Sequence, residues 1–162
     1  MVIINKDVIK KMRSSQRKGL IINLSGRKLN GYESTLLNDL VLYESKSILK
    51  RKSKKCNVLK GKVDRRRFRL GECYSNSVQM MKNGYGYVEG YVITKDGDFI
   101  SHAWNIDTEG HCWDFTFKDP ENYEYFGLEI PEDVLWEVGR KNGHIWFSVL
   151  PFVDEKFNLK NY

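Results

Sequence analysis

Apolar positions follow two different periods along this chain, and the change of period divides it near residue 70. From Glu33 onward Leu36, Leu37, Leu40, Val41, Tyr43, Ile48 and Leu49 recur at an approximate 3.6-residue spacing, which predicts a helix to about Lys50. Upstream, Asn5 is a good N-cap, and Val8, Ile9 and Met12 fall on one helical face. Residues 5–18 therefore read as a short amphipathic helix ending near Gly19. Leu20–Leu24 is a short apolar run that reads as a strand, closed by Ser25 and Gly26. Periodicity is lost over residues 51–69, which read as a basic connector.

Beyond it, Glu72–Asn83 has helical character, with Gly71 before it and Gly84 as a stop. Runs rich in aromatic and β-branched residues follow: Tyr85–Thr94, Phe99–Ile106 and His111–Phe117. The turns between them carry Asp96-Gly97 and Glu109-Gly110, the chemistry of hairpins, so these strands are expected to be antiparallel neighbours. Trp104, Trp113, Tyr125 and Phe126 are expected to form a largely buried wall under the candidate site. Pro131, with Glu132 and Asp133 behind it, opens a helix that should end near Gly139–Gly143, and His144–Phe152 reads as a last strand. One helix followed by a meander of strands is an α+β pattern rather than an alternating β-α-β one.

Charge reinforces the division. Residues 1–69 carry 20 Lys and Arg against 5 Asp and Glu, while residues 70–162 carry 7 against 16, within a total net charge of +6. The excess is densest over Lys46–Arg69, where 12 cations face only Asp64. Such a segment can neutralise phosphate backbones, although Phe68 is its only aromatic residue; the more ordinary reading is a solvated linker or a docking arm for an acidic partner. The organisation expected is a basic, mainly helical extension over residues 1–67 and an α+β core over 68–162. At 162 residues with 41% hydrophobic composition the chain is large enough for a core, and disorder of the whole is excluded. No apolar stretch approaches a membrane span or a signal peptide, and 3 cysteines make no disulfide framework. A soluble, reduced, cytoplasmic protein is the expectation.

Three residues concentrate the chemistry. Cys73 stands at the start of a predicted helix, where unpaired backbone N–H groups favour thiolate and can hold an oxyanion. His102 and Asp114 lie on strands that a short turn joins, the arrangement in which a carboxylate orients an imidazole and the imidazole deprotonates a thiol. Each also has a structural reading when taken singly: a small buried thiol, a satisfied strand histidine, an aspartate opening a turn. His111 and Cys112 adjoin Asp114, and with Cys73 and His102 they make a conceivable zinc set, but no paired-ligand spacing supports it. No metal or cofactor is expected.

The segments Gly71-Glu72-Cys73-Tyr74, Glu89-Gly90-Tyr91, His102-Ala103-Trp104-Asn105 and Trp113-Asp114-Phe115-Thr116 together resemble the transglutaminase-like, papain-fold cysteine superfamily. Tyr125-Phe126-Gly127 resembles the aromatic-glycine strand of its small bacterial and phage members. The resemblance covers residues 68–130 and implies a Cys-bearing helix packed on an antiparallel sheet. Cys73 would be the nucleophile, His102 the general base and acid, and Asp114 the orienting carboxylate, with Trp104 in support. The activity implied is acyl transfer, or hydrolysis of a protein or small amide or ester substrate, through a thioester. The upstream segment Arg65-Arg66-Arg67-Phe68-Arg69 holds no Gln or Asn, so oxyanion donation would fall to the Cys73 backbone N–H and Asn76. A second class of function is a non-catalytic binding or host-interaction module whose basic arm engages nucleic acid or an acidic protein.

Overall fold

The computed structural model describes residues 4–25, 27–62, 72–144 and 147–160. The segment Arg65-Arg66-Arg67-Phe68-Arg69, together with Gly71, lies outside them. Three helices lead: α1 (Lys6–Lys11), α2 (Ser14–Leu24) and α3 (Gly31–Lys52). Asn5 caps α1 by accepting from the Val8 N–H, and Asn30 and Glu33 cap α3 reciprocally. The apolar run Leu20–Leu24 is the end of α2 and not a strand. Ile21 and Leu24, three residues apart, both turn inward, so the run obeys a helical period once Ser14 rather than Gly19 marks its boundary.

Residues 51–69 are likewise more than a connector, because β1 (Lys54–Cys56) and β2 (Val58–Lys60) fall within them. Then come α4 (Cys73–Met80), β3 (Gly86–Ile93), β4 (Phe99–Ile106), β5 (Cys112–Asp114), β6 (Glu124–Ile130) and α5 (Glu132–Asn142). Gly84 at φ 89° ends the helical segment after α4, and Gly143 at φ 89° ends α5, left-handed positions that suit glycine. The run His144–Phe152 is not a strand where it is described: Leu150–Phe152 forms a 3-10 turn around Pro151, and Phe147, Val149 and Phe152 are buried. A short buried apolar run cannot reveal its backbone by periodicity.

The six strands form one sheet in the order β1-β6-β3-β4-β5-β2, antiparallel except where β2 pairs with β5. Asn57 alone joins β1 to β2, yet these are the two outer strands. Two residues span at most roughly 7 Å, whereas the edges of a flat six-stranded sheet lie about 24 Å apart. The sheet must therefore curl until its edges approach. Val88, Val92, Trp104, Cys112 and Tyr125 fill the inside of the curl, with Cys56 and Val58 against them. The opposite face of β3 and β4 carries Tyr87 and Ala103 into a larger core shared with α2, α3, α5 and the 147–153 segment.

Strand alternation corrects the expected aromatic wall. Trp104 and Tyr125 are buried inside the curl, but Phe126 is the strand neighbour of Tyr125 and so turns to the other face, where it stacks on Tyr91. Trp113 is half-buried and donates its indole N–H to Asp107 Oδ2 at 3.0 Å. No helix among the described residues is long and apolar enough to cross a membrane.

Candidate active site

Cys73 is the first residue of α4 and is almost wholly buried. The helical bonding begins with the Asn76 N–H on the Glu72 carbonyl, so the backbone N–H of Cys73 precedes it and has no partner within the helix. β4 brings His102 to the same place: its ring is buried, it lines the same cleft as Cys73, and the sulfur is near enough to act on the imidazole. His102 Nε2 lies 2.8 Å from Asp114 Oδ2, which leaves Nδ1 for the sulfur.

Asp114 sits at the end of β5, held from several sides. Its Oδ2 also accepts the Tyr125 hydroxyl at 2.6 Å, and its Oδ1 accepts the backbone N–H groups of Thr116 (2.7 Å) and Phe117 (3.0 Å). These last two bonds turn the chain, which is why β5 stops at Asp114 instead of running to Phe117 as the apolar pattern predicted. Phe117 then folds back over the site with its ring on the His102 imidazole, centroids 4.0 Å apart and 8° from parallel.

Protonation follows from this enclosure. Burial opposes the charged imidazole of His102, but the adjacent Asp114 carboxylate and the Cys73 sulfur outweigh it and push the group up to about 10. Burial likewise opposes the Asp114 anion, yet the imidazolium and its hydrogen bonds to His102, Tyr125 and Thr116 hold the carboxyl below its ordinary value. The buried Tyr125 phenol, facing that carboxylate, is pushed up and stays a donor.

The other residues singled out in the sequence have surroundings of their own. Asn76 is wholly buried and donates from Nδ2 to Thr116 Oγ1 at 3.0 Å, bracing α4 against the turn after Asp114. Trp104 lies inside the curl, its ring 6.0 Å from His102 and edge-on to Tyr125 at 5.1 Å. Gly127 makes room for it, since a Cβ there would sit 2.6 Å from the Trp104 ring. His111 is apart from this group, in an exposed turn 3.5 Å from Asp107 and 3.6 Å from Glu109. Cys112 is inside the curl beside Cys56. No group of three or more His, Cys, Asp or Glu side chains among the described residues is placed to hold a metal ion.

A cleft of about 210 Å³ opens on Cys73 and His102. Its far wall is Leu37, Asn38 and Val41 of α3, and Asn38 fixes that wall in place: Oδ1 accepts from the Ser101 N–H (2.7 Å) and hydroxyl (3.0 Å), while Nδ2 donates to the Phe99 carbonyl (3.1 Å). Ser148, also on the cleft, is tied to Glu89 of β3. That buried carboxylate further accepts from Tyr87 Oη (2.8 Å) and the N–H groups of Val149 (2.7 Å) and Leu150 (3.3 Å). Asn38 and Glu89 thus support the site without having been read as such in the sequence, and Tyr125, expected only as part of a buried wall, adds a hydrogen bond to Asp114. A charged residue amid the apolar positions of a strand, as Glu89 is, was the one visible signal. Neither family models, curated proteins nor solved structures give a match to the chain.

Proposed function

We propose that the chain is a thiol-dependent acyltransferase or hydrolase with a transglutaminase-like, papain-type core, in which Cys73 is the nucleophile and His102 and Asp114 complete a triad. The observation that carries this reading is that one buried imidazole shares a cleft with the Cys73 side chain and lies, through Nε2, 2.8 Å from the Asp114 carboxylate. The imidazolium form is the one that both neighbours favour, so the sulfur faces a positive charge from His102 and the positive end of α4.

In the forward step the Cys73 thiolate attacks the carbonyl carbon of an amide or ester, forming a C–S bond. Charge that develops on the carbonyl oxygen meets the Cys73 backbone N–H at the helix start. Collapse breaks the C–N or C–O bond, and His102 delivers its proton to the departing amine or alcohol. The neutral imidazole then removes a proton from water or an incoming amine, which attacks the thioester and releases Cys73. Asp114 keeps the ring oriented throughout. Among the described residues the cleft is lined by no Lys, Arg, Asp or Glu, which favours an uncharged acyl group.

An activated ester such as p-nitrophenyl acetate tests the reading. A burst of p-nitrophenol with one acyl group on the Cys73 peptide, lost in Cys73→Ala and strongly slowed in His102→Gln, is the expected result. Acylation that is absent, or that falls on Cys56 instead, contradicts it.

A further inference from the structure

On the face of the sheet turned away from the curl, three rings from three neighbouring strands form a row. Phe99 of β4 lies 5.5 Å from Tyr91 of β3, and Tyr91 lies 5.3 Å from Phe126 of β6, the latter pair within 14° of parallel. Cross-strand register places them so: Tyr91 is opposite Phe126, and Phe99 is opposite Ile93, two residues further along β3. Phe99 is 53% exposed, unusual for so large an apolar side chain.

The row runs into a cavity of about 490 Å³ between the sheet and the helices, where Tyr43 adds a fourth ring. Four lysines rim it, Lys6 and Lys10 from α1 and Lys46 and Lys50 from α3, all solvent-exposed. Lys46 Nζ stands 4.1 Å from the Tyr43 ring centroid. Among the described residues Asp39 is the one carboxylate in the lining. Four ammonium groups against one carboxylate leave the rim strongly positive around an aromatic floor.

An exposed ring at the end of such a row, with lysines along its margin, matches the chemistry of a flat base joined to a phosphate, the base stacking on the ring while the ammonium groups follow the backbone. We infer that this surface binds single-stranded nucleic acid, with an unpaired base on Phe99, the exposed end of the row, and phosphates on Lys6, Lys10, Lys46 and Lys50. A duplex, whose bases are already stacked, lacks the free faces this floor accepts. A fatty or acidic ligand would leave either the charge or the ring row without a role. The site is separate from Cys73, and its occupancy does not depend on thiol chemistry. The sequence hid it because the lysines come from the basic half and the rings from the acidic half.

Fluorescence anisotropy with end-labelled oligo-dT and oligo-U of about twelve nucleotides tests the inference, using the full chain. Binding is expected, and raising salt from 50 to 200 mM should weaken it about 50-fold if four phosphates are neutralised. Phe99→Ala should weaken binding at fixed salt by about 5- to 150-fold with the salt slope unchanged. Lys46→Gln and Lys50→Gln should each lower that slope by about 0.7. Cys73→Ala should bind as the parent chain. Absence of binding at 50 mM salt overturns the inference. So does unaltered affinity in Phe99→Ala, duplex binding as tight as single-strand binding, or displacement by polyglutamate at equal charge, which would instead mark an acidic protein partner.

Discussion

Tyr125 donates its hydroxyl to Asp114 Oδ2 at 2.6 Å, the same oxygen that holds His102 Nε2. The carboxylate is therefore positioned from β6 as well as from β4, and its orientation does not depend on the histidine alone. Tyr125→Phe keeps the ring against Trp104 but removes one charge-assisted bond. Chemical denaturation should show a loss of about 1.5–3 kcal/mol, with the acid transition moved to higher pH because the Asp114 anion has lost a donor. An unchanged midpoint would mean that the bond contributes nothing to the site.

The His102–Asp114 pair also sets a pH dependence. His102 is raised from 6.5 to about 10 in the folded chain, so its contribution is complete below pH 6.5 and declines as pH rises toward 10. Asp114 is lowered from 3.8, so its contribution is present above that value and disappears as pH falls through the folded one. Between about pH 4 and 6.5 both operate. Urea unfolding across pH 5 to 10 should show stability falling on the alkaline side by an amount on the order of a few kcal/mol. In Asp114→Asn the burial of the imidazole is no longer offset by a carboxylate. The His102 ring, followed by NMR, should then titrate well below 10, and the alkaline decline should flatten. A ring still titrating near 10 in that variant would remove Asp114 as the cause.

Two glycines face each other across β3 and β6, Gly90 opposite Gly127. A Cβ at Gly90 would lie 1.9 Å from the Phe126 carbonyl oxygen, and one at Gly127 would lie 2.6 Å from the Trp104 ring. Gly127→Ala should cost about 1–3 kcal/mol through overpacking. Gly90→Ala should cost more, because its nearest obstacle is backbone and lies 1.9 Å away, against 2.6 Å to the Trp104 ring at Gly127. Thermal unfolding of the two variants ranks them, and a milder effect at Gly90 would show the strands are less closely paired than described.

Asn38 ties α3 to β4 at Phe99 and Ser101, next to His102. Asn38→Ala should lower stability by roughly 1–2 kcal/mol. It should also increase amide exchange at Ser101, whose N–H loses its acceptor, while the exchange of α5 stays as it was. Equal exchange at Ser101 in both chains would show that the helix does not hold this strand.

Much of the second half was legible because its signals are local. Gly84 and Gly143 mark real left-handed stops, the Asp-Gly and Glu-Gly turns join real antiparallel neighbours, and Pro131 does precede α5. The placement of Cys73 at a helix start and of His102 and Asp114 on paired strands followed from the same signals. What the sequence concealed depends on distant partners. Lys54–Lys60 looks like a basic connector since its strands are three residues each and pair with β6 and β5, some 70 and 54 residues later. Glu89 makes sense only once Ser148 and Val149 lie over it. Likewise, the termination of β5 depends on an oxygen of Asp114 capturing two N–H groups, which an apolar run cannot reveal.

The most direct measurement on the central claim is the rate at which Cys73 is alkylated by iodoacetamide at pH 6.5, read by peptide mapping so that Cys56 and Cys112 are followed separately. If His102 and Asp114 activate the thiol, Cys73 in the parent chain should react at least about tenfold faster than in His102→Gln, with Asp114→Asn between them. The rates of Cys56 should be alike in all three. Equal Cys73 rates in the parent chain and in a folded His102→Gln variant would contradict the account.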